Sequence, residues 1–281
     1  MKKQYLFNHI GFLILLVLIT LNAQQAAAQS QIKPYRVAAG IGYSFTGYRD
    51  EVESSINRYL NTFTFMINGN IEKNNFLHSF NIDFFTGSPK MPAPYRGYRQ
   101  KSYNSTRVGA EYAFDCRLWG NDILPGHLGG AFRAIFHYTG VDFTNPGVDV
   151  YDFSAPTGVG LVSLNIHISQ KWNINARNTL VFSTGYPLIG YAVRPPYAGY
   201  DDLWGKYLEE KTYLKIVTLG EFISFHNYRA FYGDLKYHYK VSALFSPYSG
   251  ISFEYSRMDS PPQRPRIDAI FRINTGIAFT F

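Results

Sequence analysis

The residues of this sequence that could do chemistry together are a histidine and a serine two positions apart, His167 and Ser169. Residues two apart on a β-strand lie on the same face, so the imidazole could take the hydroxyl proton and activate the serine as a nucleophile. Asn165 or Glu111 could supply the third group that orients the imidazole. We predict no catalytic residue and expect His167 and Ser169 to form a polar pair that faces the interior.

A second group of polar residues recurs on one face of several strand-like runs. Opposed charges inside a narrow barrel would form a buried ionic network, which requires good pairing, whereas in a wider barrel they would line a wet pore and tune its selectivity. Both alternatives are open from the sequence. The residues predicted to line the lumen are Asp83, Arg107, Glu111, Asp115, Arg133, His137, Lys236, Lys240, Glu254 and Arg272.

Alternating strands separated by turn residues must position these side chains. Strand-like runs occupy 36–48, 60–72, 76–86, 103–116, 128–139, 158–171, 177–193, 211–226, 235–245, 251–258 and 266–281. An even strand number, with both termini at one end, fits ten or twelve strands. We predict an all-β protein, a closed antiparallel transmembrane β-barrel of 10–12 strands. Twelve is favoured, with 211–226 split into two short strands.

The last strand carries the most specific pattern. Phe271, Ile273, Ile277, Phe279 and Phe281 share one face, and the chain ends on this aromatic residue. This strand resembles the C-terminal signal of bacterial outer-membrane β-barrel proteins. The resemblance implies that Phe279 and Phe281 form an assembly signal for the barrel-insertion machinery. Aromatic residues make up 17% of the chain, which suits a wall that meets two membrane interfaces.

The other end of the chain predicts export. Lys2 and Lys3 precede an apolar run over 11–21, and small residues around Ala28 offer a cleavage site. This order is typical of a secretory signal peptide, and the run is short for a membrane helix. We expect a signal peptide at 1–28, a single barrel domain at 29–281 and a location in the outer membrane of a Gram-negative bacterium. The net charge of +7 falls to +5 without the two lysines, and this destination excludes nucleic acid as a partner.

The His-x-Ser spacing of His167 and Ser169 resembles that of outer-membrane phospholipase A and of lipid A deacylases. Those families follow the serine with Asn and a small residue, and this chain has Gln170 and Lys171 instead. Their pair faces lipid near the outer leaflet. Here Ile166 and Ile168 occupy the apolar face, so the pair is expected inside the barrel.

A basic, tyrosine-containing segment over 88–100 and its flank are predicted to form an outer loop. Arginine forks match phosphate oxygens, and tyrosines suit the headgroup zone of a membrane. We predict contact with lipopolysaccharide phosphates here, and contact of the barrel wall with outer-membrane lipids. The residues predicted for the phosphate contact are Lys90, Arg96, Arg99 and Lys101.

The motifs of several chemistries are missing from the sequence. It contains no Gly-x-Ser-x-Gly elbow, no His-Glu-x-x-His and no spaced Cys or His set for a metal, so neither cofactor nor metal is expected. The sequence favours a small channel or uptake barrel for small solutes or lipidic molecules. A lipid-modifying hydrolase and a plugged structural barrel are the alternatives, and the oligomeric state is left open.

Overall fold

The computed structural model describes residues 35–51, 54–73, 75–90, 99–120, 123–144, 153–154, 157–194, 206–207, 210, 213–259 and 264–281. The expected signal peptide, 1–28, lies outside the described residues. Almost all of the described chain is extended. The elements are β1 (Tyr35–Asp50), β2 (Ser54–Lys73), β3 (Phe76–Gly87), β4 (Arg99–Trp119), β5 (Gly126–Thr144), β6 (Phe153–Ser154), β7 (Thr157–Asn173), β8 (Asn178–Val193), α1 (Tyr213–Val217), β9 (Glu221–Ser224), β10 (Tyr228–Tyr239), β11 (Phe245–Met258) and β12 (Arg266–Thr280).

The sheet closes into a barrel. Among the described residues twelve strands belong to it, in the order β10-β11-β12-β1-β2-β3-β4-β5-β7-β8, with β10 pairing back onto β8 and β6 and β9 attached. The two attached strands have only 2 and 4 residues, so ten strands form the closed ring. Every pairing is antiparallel. The closed antiparallel barrel is confirmed.

The favoured strand number of twelve is wrong, since ten strands form the closed ring, and the reason lies in residues 211–226. This run was expected to supply two strands, but it contains the short helix α1 followed by the four-residue β9. β9 pairs with β8 alone, over Glu221–Ser224 opposite Ala192–Ile189. The spacing of apolar residues in a short run fits either a helix or a strand. The alternation in 211–226 therefore could not distinguish the two structures.

A bulge in β8 lies at Pro187, next to the residues that pair with β9. This residue lacks a backbone N–H, and proline inside a sheet is confined to edges and bulges. The register with β7 shifts between Leu164 and Asn165, and Leu188 and Ile189 both point outward, with 47% exposure each. At this bulge the partner of β8 changes from β10, which pairs with Asn178–Gly185, to β9.

The two ends of the barrel differ in their connections. At one end, here called the turn end, the connections are 74–75, 120–125, 174–177 and 240–244. At the other, the loop end, they are 51–53, 88–98, 145–156, 194–227 and 259–265. Gly120 has φ of 85°, a left-handed conformation that glycine adopts without strain. Tyr35 and Phe281 meet at the turn end, where each backbone N–H donates to the other residue's carbonyl.

The outer wall is apolar. Its exposed side chains alternate along each strand with the buried, inward ones. No helix among the described residues is long and apolar enough to cross a membrane. The outward-facing side chains of β4, β5, β7 and β11 include eight that are exposed by 36–53% or, for Phe253, partly buried: Val108, Tyr112, Phe132, Phe136, Ile166, Ile168, Phe253 and Tyr255.

Candidate functional site in the lumen

A layer of charged side chains crosses the middle of the barrel. Asp83 on β3, Arg107 on β4 and Arg133 on β5 come from one side of the wall, and Glu254 on β11 and Arg272 on β12 from the other. Alternation turns each of them inward, because the neighbours of each along its strand face outward. We call these five residues and Glu111 the central layer.

The central layer is a continuous chain of charge-assisted hydrogen bonds. Arg107 donates from Nη1 to Asp83 Oδ2 at 2.6 Å and from Nη2 to Glu254 Oε2 at 2.7 Å. Arg133 Nη2 donates to the same Glu254 oxygen at 2.6 Å, and Arg272 Nη2 donates to Asp83 Oδ2 at 3.3 Å. Arg133 Nε lies 3.8 Å from Glu111 Oε2. Three guanidiniums therefore face three carboxylates, and the layer has no net charge.

Because the central layer is buried, each of its charges needs a partner. The side chains of Arg107, Asp83 and Glu254 are 2%, 6% and 9% exposed. Ions taken out of water are tolerated only when they are paired and hydrogen-bonded, and removing one partner leaves an uncompensated charge. Arg133 has a further partner, since its guanidinium carbon lies 4.1 Å from the centre of the Tyr232 ring.

The bond between Arg107 and Glu254 spans the full width of the barrel. β4 and β11 are five positions apart in the ring of ten strands, whichever way the ring is followed. The side chains therefore meet across the axis and close the lumen. The cavity beside the central layer measures only about 40 Å³, and a second one, toward the loop end, about 20 Å³.

A second charged layer lies nearer the loop end. Asp50 Oδ1 accepts from Arg194 at 2.5 Å, and its Oδ2 accepts from Arg266 at 3.2 Å. Arg266 also donates to Asp268 and is hydrogen-bonded to His137, on the diametrically opposite strand β5. Arg194 lies just beyond β8, where burial lowers the pKa of its guanidinium and the Asp50 carboxylate opposes that shift.

The sequence reasoning missed four members of this second layer: Asp50, Arg194, Arg266 and Asp268. The predicted strand-like runs 36–48 and 177–193 stop short of Asp50 and Arg194, whereas β1 continues to Asp50. The signal was present in the even-numbered face of β1, which runs from Ser44 through Thr46 and Tyr48 to Asp50, all buried. Extending that alternation would have placed Asp50 inside.

His167 and Ser169 both lie on the inner face, each 4% exposed. His167 Nδ1 is 2.7 Å from Asp115 Oδ2, so the orienting group is Asp115 and neither Asn165 nor Glu111. Among the hydrogen bonds of the described residues, none joins His167 to Ser169. The His-Asp pair is therefore formed, but the serine that catalysis would require is not engaged.

Of the other lumen-lining candidates, His137 and Lys236 lie on the inner face, and Lys240 lies beyond the end of its strand. His137 is buried and bonds to Ser105, 2.8 Å away. Lys236 Nζ lies 3.3 Å from Asp234 Oδ2. Lys240 is exposed just beyond β10, beside a cavity of about 610 Å³ at the turn end.

The residues predicted to contact lipopolysaccharide are only partly described. Lys90 is exposed, and its backbone bonds to Tyr59 at the loop end. Arg96 lies outside the described residues. Arg99 and Lys101 belong to the first residues of β4. Within the described part of the chain, no group of three or more His, Cys, Asp or Glu side chains could hold a metal ion.

Comparison with known proteins gives likeness in structure alone. No family model matches the sequence. No curated protein matches it either. The outer-membrane protease OmpT of Escherichia coli aligns with a TM-score of 0.60 and 8% identity, over 89% of this chain and 98% of OmpT. The translocator domain of the autotransporter NalP from Neisseria meningitidis aligns over 92% of each chain, at 8% identity and a TM-score of 0.47. The structural neighbours are bacterial outer-membrane β-barrel proteins, and at such identities the likeness concerns the fold.

Proposed function

We propose that this chain is an integral barrel of the bacterial outer membrane whose lumen is closed by the central layer. The exposed aromatic and aliphatic outer wall supports a lipid environment, because such a surface is costly in water. The short turns at one end and longer connections at the other match the usual placement of periplasmic turns and outer loops. We take the turn end as periplasmic and the loop end as extracellular.

The proposal of a closed lumen rests on the hydrogen bonds that Arg107 and Arg133 donate to Glu254 across the barrel axis. A solute or hydrated ion would have to break these charge-assisted bonds inside the wall, where desolvation makes unpaired charges costly. The chain then acts as a closed scaffold that presents its two ends, in keeping with the general rule that small barrels are filled by side chains.

A small channel or uptake barrel for small solutes or lipidic molecules is the second candidate. It is favoured by the fact that side chains form the plug among the described residues, and by the cavity of about 610 Å³ at the turn end. Displacing a few side chains would join this cavity to the loop end. The closed scaffold and the channel therefore differ in whether the central layer opens.

Liposome swelling distinguishes the two candidates. Vesicles that contain the purified protein are diluted into isotonic solutions of small sugars or amino acids, and the light scattering is followed. A closed barrel leaves the swelling rate at that of protein-free vesicles. Swelling that falls with solute size would establish the channel and overturn the proposal.

A further inference from the structure

The cavity at the turn end is lined by basic side chains from three parts of the wall. Arg36 comes from β1, Lys171 from β7, and Lys240 from the turn after β10. Neutral polar residues, among them Asn173, Thr179 and Ser246, complete the lining. We call this cavity of about 610 Å³ the basic vestibule.

The charges of the basic vestibule are not balanced, unlike those of the central layer. Lys171 Nζ lies 3.6 Å from Glu72 Oε2, in a partly exposed pair. Within the described ranges, neither Arg36 nor Lys240 has a carboxylate within ion-pair distance. Residues 29–34, which directly precede β1, contain no acidic residue, so this stretch of the chain offers no carboxylate either.

A buried imidazole lies near the basic vestibule, although it is not one of the side chains that line it. His238 is one inward-facing position deeper on β10 than Lys240 and only 5% exposed. Its Nδ1 has no hydrogen-bond partner among the described residues. It lies near enough to Arg36 and Lys171 to interact with their charges. The lumen next to the basic vestibule therefore contains a buried polar atom without a partner, which is unfavourable.

Tyr248 packs inside the barrel next to His238 and is not one of the side chains that line the basic vestibule. It is 3% exposed and packs with Ala38 and Ala278, while its ring lies 5.4 Å from that of His238. Gly40 permits this packing, because a Cβ there would overlap the Tyr248 hydroxyl. The basic vestibule shares no lining residue with the cavity beside the central layer, so the two cavities are separate among the described residues.

We propose that the basic vestibule binds a small, multiply charged oxyanion, one that carries phosphate or carboxylate groups. The Arg36 guanidinium matches the paired oxygens of either group, and the two lysines add point charges. A volume of about 610 Å³ suits a ligand with several phosphate or carboxylate groups rather than a single inorganic ion. This binding does not depend on whether the central layer opens.

Calorimetric titration of the full-length protein in detergent tests the proposal, with sodium pyrophosphate and citrate as separate probes. The wild type is expected to bind at least one probe saturably and more weakly at higher salt, because exposed charges are screened. Removing both uncompensated cations in R36Q/K240Q should weaken binding about tenfold or more. Binding of one probe alone also supports the site and identifies phosphate or carboxylate as the preferred group.

The matched control removes two positive charges from elsewhere on the barrel. Lys73 and Arg229 are exposed and face outward, so K73Q/R229Q should leave the affinity within about twofold of wild type. The single variant K240Q, at an exposed position, gives the same test if R36Q/K240Q fails to fold. No saturable binding of either probe by the wild type would overturn the proposal. Equal affinity in the wild type and in R36Q/K240Q or K240Q would overturn it as well. Neither result would bear on the closed lumen, which swelling measures separately.

Discussion

Glu254 on β11 accepts hydrogen bonds from Arg107 on β4, the strand that lies diametrically opposite in the ring. The same carboxylate accepts from Arg133. One acidic side chain thus joins two arginines, and through Arg107 and Asp83 it connects β11 with β3, β4 and β5. Such a cross-link stabilises the barrel wall and fills the space in which a pore would lie.

Neutralising Glu254 should destabilise the barrel strongly. E254Q leaves Arg107 and Arg133 next to each other with one carboxylate fewer, and losing one partner of a buried pair costs about 3–5 kcal/mol. Urea unfolding in lipid vesicles measures this change. The surface pair of Arg257 and Asp259 provides the control, since D259N breaks a partly exposed pair and should change the unfolding midpoint far less than E254Q.

A double-mutant cycle then separates pairing from packing in the central layer. Replacing both Arg107 and Glu254 with methionine removes the charges together, so R107M/E254M should recover part of the stability that E254M loses. Strictly additive losses would mean that the two residues do not interact as the structure places them.

Charge on the outer wall should be unfavourable at positions that contact lipid. Phe136 is 53% exposed at the middle of β5, and an arginine at a lipid-facing midplane position costs about 2–4 kcal/mol. F136R should therefore lower the free energy of unfolding in lipid vesicles by that amount. Ile174 is exposed in a turn, so I174R should cost about 0–1 kcal/mol. Equal effects of the two variants would contradict the placement of the wall in lipid.

The last residue should be needed for assembly. Phe281 exchanges two backbone hydrogen bonds with Tyr35 and so completes the seam between β12 and β1. Deleting Phe281 should leave the protein in the periplasm, aggregated or degraded, whereas F281Y keeps the aromatic ring and should assemble. Heat-modifiable migration of the outer-membrane fraction reports the folded barrel. A normal amount of folded barrel after the deletion would refute the role of this residue.

Ester hydrolysis by His167 and Ser169 is not expected. The pair is buried on the inner face, and His167 bonds to Asp115 rather than to the serine. Purified protein in detergent should release no fatty acid from phospholipid, and S169A should behave as wild type. Lipid cleavage by the wild type that disappears in S169A would establish the hydrolase and remove the scaffold interpretation.

The strand alternation and the expected export signal together predicted the closed antiparallel barrel, because a membrane chain without spanning helices satisfies its backbone in lipid only by closing a sheet. It was not sufficient for strand number. Residues 211–226 alternate weakly, and the short strand β9 within them pairs with β8 only beyond the bulge at Pro187.

The sequence showed which single side chains face inward, but it could not show which of them are hydrogen-bonded to each other. Arg107 and Glu254 are 147 residues apart, and they meet only because the shear and tilt of a ten-stranded barrel bring them to the same height. The loop-end layer was missed for a different reason, since Asp50 and Arg194 lie at strand ends where turn-like composition masks the alternation. Side-chain networks across an axis therefore need the fold before they can be predicted.

Conductance in a planar lipid bilayer tests the closed lumen most directly. The wild-type protein is expected to be electrically silent, because the bonds of Glu254 to Arg107 and Arg133 close the lumen. Removing both long side chains in R107A/E254A should open a water-filled path and produce discrete current steps, provided the variant inserts. Steady current steps from the wild-type protein at the same protein-to-lipid ratio would contradict the closed barrel.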